Sequence, residues 1–190
     1  MYIDQLRQEI QFKIVYYGPG LGGKTTNLEY IYSQLDPSVR GELVSLKTKD
    51  ERTLYFDFLQ LKFGRINNKR PRFHLYTIPG QKHYGFSREI ILRGADAVVF
   101  VADSQPARMK ENLDTLADLE KKMIAQKQSL DKFPWVIQYN KRDLVNSMSI
   151  ESMQASLNFL NVPWHQAVAL NGKGVFETLR SVIDLIMVNA

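Results

Sequence analysis

The sequence predicts an α/β fold: one domain over residues 1–190, three layers deep, a mostly parallel sheet with helices on both faces. Three observations predict it. Short apolar, β-prone runs alternate with amphipathic helical stretches from end to end. The densest glycine cluster, "GPGLGGK" at 18–24, falls between the first strand-like run and the first helical one. No internal repeat, low-complexity tract or linker divides the chain.

Each element follows from its local pattern. "FKIVYY" (12–17) is a short apolar run that reads as a buried strand. "KTTNLEYIYSQL" then carries Leu28, Ile31 and Leu35 on one helical face. "LYFDFLQLKF" (54–63) and "RFHLYTI" (72–78) are strands, and the polar "GRINNKRP" between them reads as a hairpin connection. Those two strands should therefore pair antiparallel. "DAVVFVAD" (96–103) is a central buried strand, followed by a long helix around 109–126 with Leu113, Leu116 and Met123 inward. "WVIQYN" (135–140) and "HQAVAL" (165–170) are two further strands, covered by helices near 150–160 and 175–188. The expectation is six strands, one of them antiparallel.

Composition narrows the function. Hydrophobic residues make up 44% and charged residues 24%, ordinary for a globular protein. The absence of cysteine excludes disulfides, thiolate zinc sites, a redox nucleophile, palmitoylation and prenylation. Tyr2 excludes an N-myristoyl glycine, and the start has neither a basic n-region nor a long apolar core. A cytoplasmic protein with no membrane anchor of its own is expected. The net charge of +5 is spread over "KTK" (47–49), "NNKRPR" (67–72) and "EKKM" (120–123), with no basic arm or aromatic recognition motif. Nucleic acid is therefore not an expected partner.

The glycine cluster satisfies G-x-x-x-x-G-K-[ST]: Gly18, then Gly23-Lys24-Thr25. Gly20, Gly22 and Gly23 leave the backbone N–H groups free to close around phosphates, and a helix N-terminus follows. Lys24 would neutralise phosphate oxygens, and the Thr25 hydroxyl would be a ligand for Mg²⁺. A nucleoside triphosphate is the ligand this pattern predicts. In a doubly wound sheet, ligands sit at the carboxyl ends of the strands. The strand at 135–140 ends in "NKRD", Asn140 to Asp143, 116 residues after Lys24. A carboxylate there can accept two hydrogen bonds from guanine that adenine does not offer, so Asp143 selects the base.

With these motifs the chain resembles the Ras-like small GTPases over nearly its whole length. Residues 18–25 look like their phosphate loop, Pro79-Gly80-Gln81 like the second switch, and Asn140–Asp143 like the guanine motif. "VPWHQAVALNGKGV" (162–175) is similar to the loop closing around the base, with Ala169 as backbone donor to the guanine carbonyl. "KIVYYGPGLGGKTTNL", "RTLYFDF", "FHLYTIPGQ", "VVFVADSQ" and "VIQYNKRDL" look most like the MglA-type gliding-motility and polarity GTPases of bacteria. The resemblance implies a Ras-like G domain of the P-loop NTPase class, binding GTP or GDP with Mg²⁺. It implies a nucleotide site of Gly18, Gly20, Leu21, Gly22, Gly23, Lys24, Thr25, Thr26, Thr53, Gly80, Asn140, Lys141, Asp143 and Ala169. It implies a switch acting at a cell pole or motility complex. The partners would be a roadblock-fold (MglB-like) GTPase-activating protein, polarity or motility effectors and an exchange factor, the chain itself being a monomer alone.

The first switch is located by counting. Thr48 and Thr53 both follow the first helix, and Thr53, 27 residues before Gly80, has the family spacing. Thr53 is then the second metal ligand beside Thr25. Its neighbour Arg52 stands where an intrinsic arginine finger could act, and Gln81 would orient the attacking water. Residues 47–58 and 80–88 are the expected partner-sensing surface.

Two departures stand out. Thr77 replaces the aspartate that usually opens the second switch, so the outer contact to Mg²⁺ is weaker or comes from elsewhere. Val168 replaces the usual serine of the base-closing loop. Asp57 could approach the magnesium or satisfy a backbone group, the latter being the preferred reading. His74, His83 and His165 read as ordinary strand or loop histidines. The alternatives are a nucleotide-binding polarity scaffold with negligible turnover, in which Arg52 and Gln81 have no task, and an ATP-dependent kinase or ATPase, in which Asp143 has none.

Overall fold

The computed structural model describes residues 1–47, 53–62, 64–65, 69–79 and 85–188. At its centre is β2 (Glu9–Tyr17), whose alternating side chains feed two cores. Phe12, Ile14 and Tyr16 enter one, and Val15 and Tyr17 the other. β5 (Arg70–Thr77) and β6 (Ala97–Asp103) pair with β2 in parallel, one on each side. Beyond β6, β7 (Trp135–Asn140) and β8 (Trp164–Gln166) continue the parallel run. β4 (Thr53–Lys62) pairs antiparallel with β5, as the polar connection between them predicts.

Two short strands extend the six expected, giving eight among the described residues. β1 (Tyr2–Asp4) folds back on the start of β2, and β3 (Val44–Lys47) borders β4; both pairings are antiparallel. At three and four residues these strands are too short for an alternating pattern to declare itself. β8 stops at Gln166, not Leu170, because the chain leaves the sheet there and turns back through a Val168–Lys173 bridge.

Helices cover both faces, as expected. α1 (Lys24–Gln34) and α5 (Val175–Val188) pack Leu28, Ile31, Leu179 and Val182 onto the Phe12 face. α2 (Gly85–Leu92), α3 (Met109–Ala125) and α4 (Ile150–Leu157) bring Leu92, Leu119 and Met153 to the Tyr17 face. α3 buries Leu116 and Met123 as predicted, but Leu113 is 43% exposed. The inward position is taken by Asn112, which accepts the Asp103 N–H at 3.0 Å and donates to the Asp103 carbonyl at 2.8 Å. That bidentate tie fixes the end of β6 and rotates α3 about it.

A polar chain crosses the core beneath the glycine loop. Asn27 Nδ2 donates to Gln138 Oε1 at 2.8 Å, and Gln138 Nε2 donates to Asn27 Oδ1 at 2.9 Å and to Thr178 Oγ1 at 3.0 Å. Asn27 also donates to the Gly23 carbonyl at 2.8 Å, so α1, β7, α5 and the loop share one network, its side chains fully buried. Gln138→Leu keeps the volume and strands a buried Asn27 carbonyl. It should lower the unfolding free energy by about 1–3 kcal/mol in urea titration. A variant as stable as the parent would make the network dispensable.

Candidate functional site

The loop between β2 and α1 is shaped by its neighbours. A Cβ at Gly18 (φ 140°) would sit 2.2 Å from the Val101 carbonyl of β6, and one at Gly23 (φ 100°) 2.1 Å from Asn140 Nδ2. Only glycine lets the backbone pass so close. Lys24, the first residue of α1, is buried, and its ammonium donates to the carbonyls of Gly18 at 3.0 Å and Pro19 at 2.7 Å. Burial pushes its pKa down to about 7, Arg88 and Arg108 adding to the effect and Asp57 opposing it. A cation so destabilised at a helix N-terminus fits phosphate oxygens, which would restore its charge.

Beside Lys24, Thr25 Oγ1 donates to Asp57 Oδ2 at 2.5 Å. Thr77 Oγ1 donates to the same oxygen at 2.7 Å and accepts the Asp57 N–H at 2.8 Å, while the Ser45 hydroxyl donates to Asp57 Oδ1. A carboxylate that position 77 lacks is present on β4, where that of Asp57 reaches the Thr25 hydroxyl. No cluster of three or more His, Asp or Glu that could hold a metal exists among the described residues. One hydroxyl and one carboxylate suit Mg²⁺, which keeps several waters and takes the rest of its shell from phosphates.

A cleft of about 240 Å³ opens on the other side of the loop. Leu21, Gly23, Thr26, Asn140, Lys141, Asp143, Val168 and Ala169 line it, with Leu144 and Leu170. Asn140 builds it: Nδ2 donates to the Gly22 carbonyl at 2.8 Å, and Oδ1 accepts the Ala169 N–H at 2.9 Å. A base carbonyl would therefore share the Ala169 N–H with Asn140. Lys141, at φ 65°, turns its ammonium onto the buried Asp103, 2.7 Å away. That turn frees the following residues to wall the cleft, with Asp143 on an exposed rim.

Arg108, which donates to the Gly20 carbonyl, belongs to no motif of the sequence, and "VVFVADSQ" marks no role for Asp103. The "FDF" spacing was the one signal for Asp57. Arg52, Gly80, Gln81 and His83 lie outside the described residues, as does Thr48. Thr53 opens β4, in register with Lys47. His74 is held in β5 by Gln60 and the edge of Phe58, its pKa lowered by burial, and His165 sits in β8. Both are placed as strand residues.

Residues 2–186 match the ADP-ribosylation factor family, Arf. The chain belongs to the Arf family of Ras-like GTPases. This Arf-family chain is 52% identical over 186 residues to the mutual gliding-motility protein MglA of Myxococcus xanthus, covering 98% of this chain and 95% of that one. It is 24% identical over 181 residues to the Ypt/Rab-type GTPase Rab7 of Neurospora crassa, covering 91% and 82%. With the Ras-related protein Rab-7a of Dictyostelium discoideum it shares 25% over 188 residues, covering 94% and 86%.

Lys24 makes ligand binding a proton-linked event. In the free protein it loses its proton above about pH 7, and phosphate would return the proton. Binding should then take up about one proton above neutrality, and log affinity should fall as pH rises from 7, with no contribution from this group below it. Calorimetric titration with GDP at pH 8.5 in buffers of different ionisation enthalpy reads the uptake. Proton release there would contradict the assignment.

Proposed function

We propose that the chain is a GTP-binding switch that hydrolyses GTP to GDP and phosphate and acts in bacterial polarity or motility. The observation that carries this reading is the cleft that Asn140 holds between the phosphate loop and the Ala169 loop. Asp143 on its rim would accept two hydrogen bonds from guanine, and Leu21, Val168 and Leu170 would flank the ring. Lys24 and the loop amides would hold the phosphates. Thr25, Thr53 and, on the outer side, Asp57 would hold Mg²⁺. Mg²⁺, when bound, offsets charge on the phosphate oxygens. Gln81 would orient water for in-line attack, and Arg52 would stabilise the charge that develops as the phosphoryl group transfers.

In this reading hydrolysis is slow alone and accelerated by a partner. Roadblock-fold, MglB-like proteins are the proposed activators, effectors of polarity or motility the proposed readers, and an exchange factor the means of reset. The gliding-motility name of the Myxococcus xanthus relative supports that setting. The scaffold alternative drew on the missing carboxylate at Thr77, and Asp57 weakens that ground.

Two measurements test the reading. The parent should bind GDP in marked preference to ADP, and Asp143→Asn should move preference from guanine toward xanthine. A bidentate pair is worth about 1–3 kcal/mol of such discrimination. Equal affinity of the parent for ATP and GTP would refute the base assignment. In single-turnover hydrolysis with saturating roadblock partner, Arg52→Ala should slow the step ~10³–10⁵-fold while leaving GTP affinity nearly unchanged. A parental rate in that variant would give the finger to the partner; no turnover by the parent would favour the scaffold.

A further inference from the structure

Arg108 ends the short 3-10 turn Pro106–Arg108 that leads into α3. Its guanidinium reaches across the sheet to the glycine loop. Nη2–H donates to the Gly20 carbonyl at 2.5 Å, and Nη1–H donates to Glu111 Oε1 at 2.5 Å. Nε stands 3.9 Å from Asp103 Oδ2, the same carboxylate that takes Lys141. Two carboxylates thus flank the guanidinium while it grips the loop.

The peptide it grips is in an unfavourable conformation. The Gly22 N–H donates to the Pro19 carbonyl at 3.3 Å, closing a four-residue turn with Gly20 and Leu21 at its centre. Leu21 has φ 60°, whereas Gly20 is absent from the positive-φ glycines, which is the dihedral pattern of a type II turn. That turn asks for glycine at its third position, and here a leucine occupies it. The common alternative, type I, differs by a flip of the Gly20–Leu21 peptide and would suit leucine better. A trans peptide points its C=O and N–H in opposite directions. Holding the Gly20 carbonyl outward against α3 therefore turns the Leu21 N–H away from α3.

We propose that Arg108 is a positioning residue for nucleotide phosphates: it holds the Gly20–Leu21 peptide flipped, so that the Leu21 N–H faces the phosphates. The proposal rests on the nucleotide reading of the loop. Lysine is a poorer holder, because a single ammonium cannot engage Glu111, Asp103 and the Gly20 carbonyl in one planar fork.

The test is the release rate of GDP carrying a fluorescent methylanthraniloyl group, chased with excess GDP. Arg108→Met keeps the stem and loses the donors; it should release about 10- to 100-fold faster, the effect of one charge-assisted hydrogen bond. Arg108→Lys should fall between parent and Arg108→Met, and it carries the test if the methionine variant does not fold. Leu21→Gly alone also loses the side chain that would flank the ring, so it is the reference. On that background Arg108→Met should cost only a small part of what it costs in the parent, because glycine takes φ 60° without the guanidinium's help. General damage to the fold would persist on the glycine background. A parent-like release rate in Arg108→Met and Arg108→Lys, or an Arg108→Met effect as large on the Leu21→Gly background as in the parent, overturns the proposal alone. A parent that binds no GDP overturns the nucleotide reading together with it.

Discussion

The carboxamide of Asn140 is the tie on which the site depends. It donates to Gly22, 118 residues earlier, and accepts from Ala169, 29 residues later, so two loops that never touch in sequence keep a fixed separation. The pleat of β7 places Val136, Gln138 and Asn140 on the same face. Along that one strand the environment passes from apolar core to buried polar network to ligand cleft. Val136 packs among aliphatic side chains, and Gln138 joins α1 to α5. Asn140 then meets the loop where a Cβ on Gly23 would strike its amide. Gln138 ties α1 to β7 and α5 beneath the loop, adding to the packing of Leu28 and Ile31, and Asn140 continues the same strand face to the loop carbonyl.

Charge around the loop is arranged to want an anion. Lys24, Arg88 and Arg108 lie near enough for the two guanidinium groups to depress the Lys24 pKa, and burial depresses it further. Each arginine is committed elsewhere, Arg88 to Asp118 at 3.1 Å and to the Pro79 carbonyl at 3.0 Å, Arg108 to Glu111 and Gly20. Lys24 alone rests on neutral carbonyls. The arginines therefore shape the backbone while the lysine is held in reserve for phosphate. This division follows from side-chain chemistry: a guanidinium keeps its proton when buried and spans several acceptors, and an ammonium can lose its proton until an anion arrives.

Elements whose pattern is long and apolar were legible in the sequence. β2, β6 and β7 are rich in apolar, β-prone residues, and α5 has the predicted bounds. The illegible ones are short or owe their place to tertiary contacts. β1 and β3 exist because a longer neighbour offers an edge, and Leu113 faces water because Asn112 must clasp Asp103. The same holds in the site. Motif residues fixed by spacing, such as Lys24, Asn140 and Asp143, gather at one cleft or loop as their motifs require. Asp103 and Arg108 act by reaching across the sheet to residues far off in sequence, and nothing in their local sequence marks that reach.

Asp57 and Thr77 show how a carboxylate can stand beside Thr25 although position 77 lacks one. β4 and β5 are neighbours, so either strand can place a carboxylate at the Thr25 hydroxyl. Moving the carboxylate to β4 changes what position 77 has to do. Thr77 donates to Asp57 Oδ2 and accepts the Asp57 N–H, so its hydroxyl fixes both the backbone and the side chain of the residue that replaced it. An aspartate at 77 would set two carboxylates against each other in a buried site, and one of them would have to take a proton or turn away. With Asp57 in place, the Thr77 hydroxyl serves as both its donor and its acceptor, a pair of bonds that an ionised aspartate at 77 could not make.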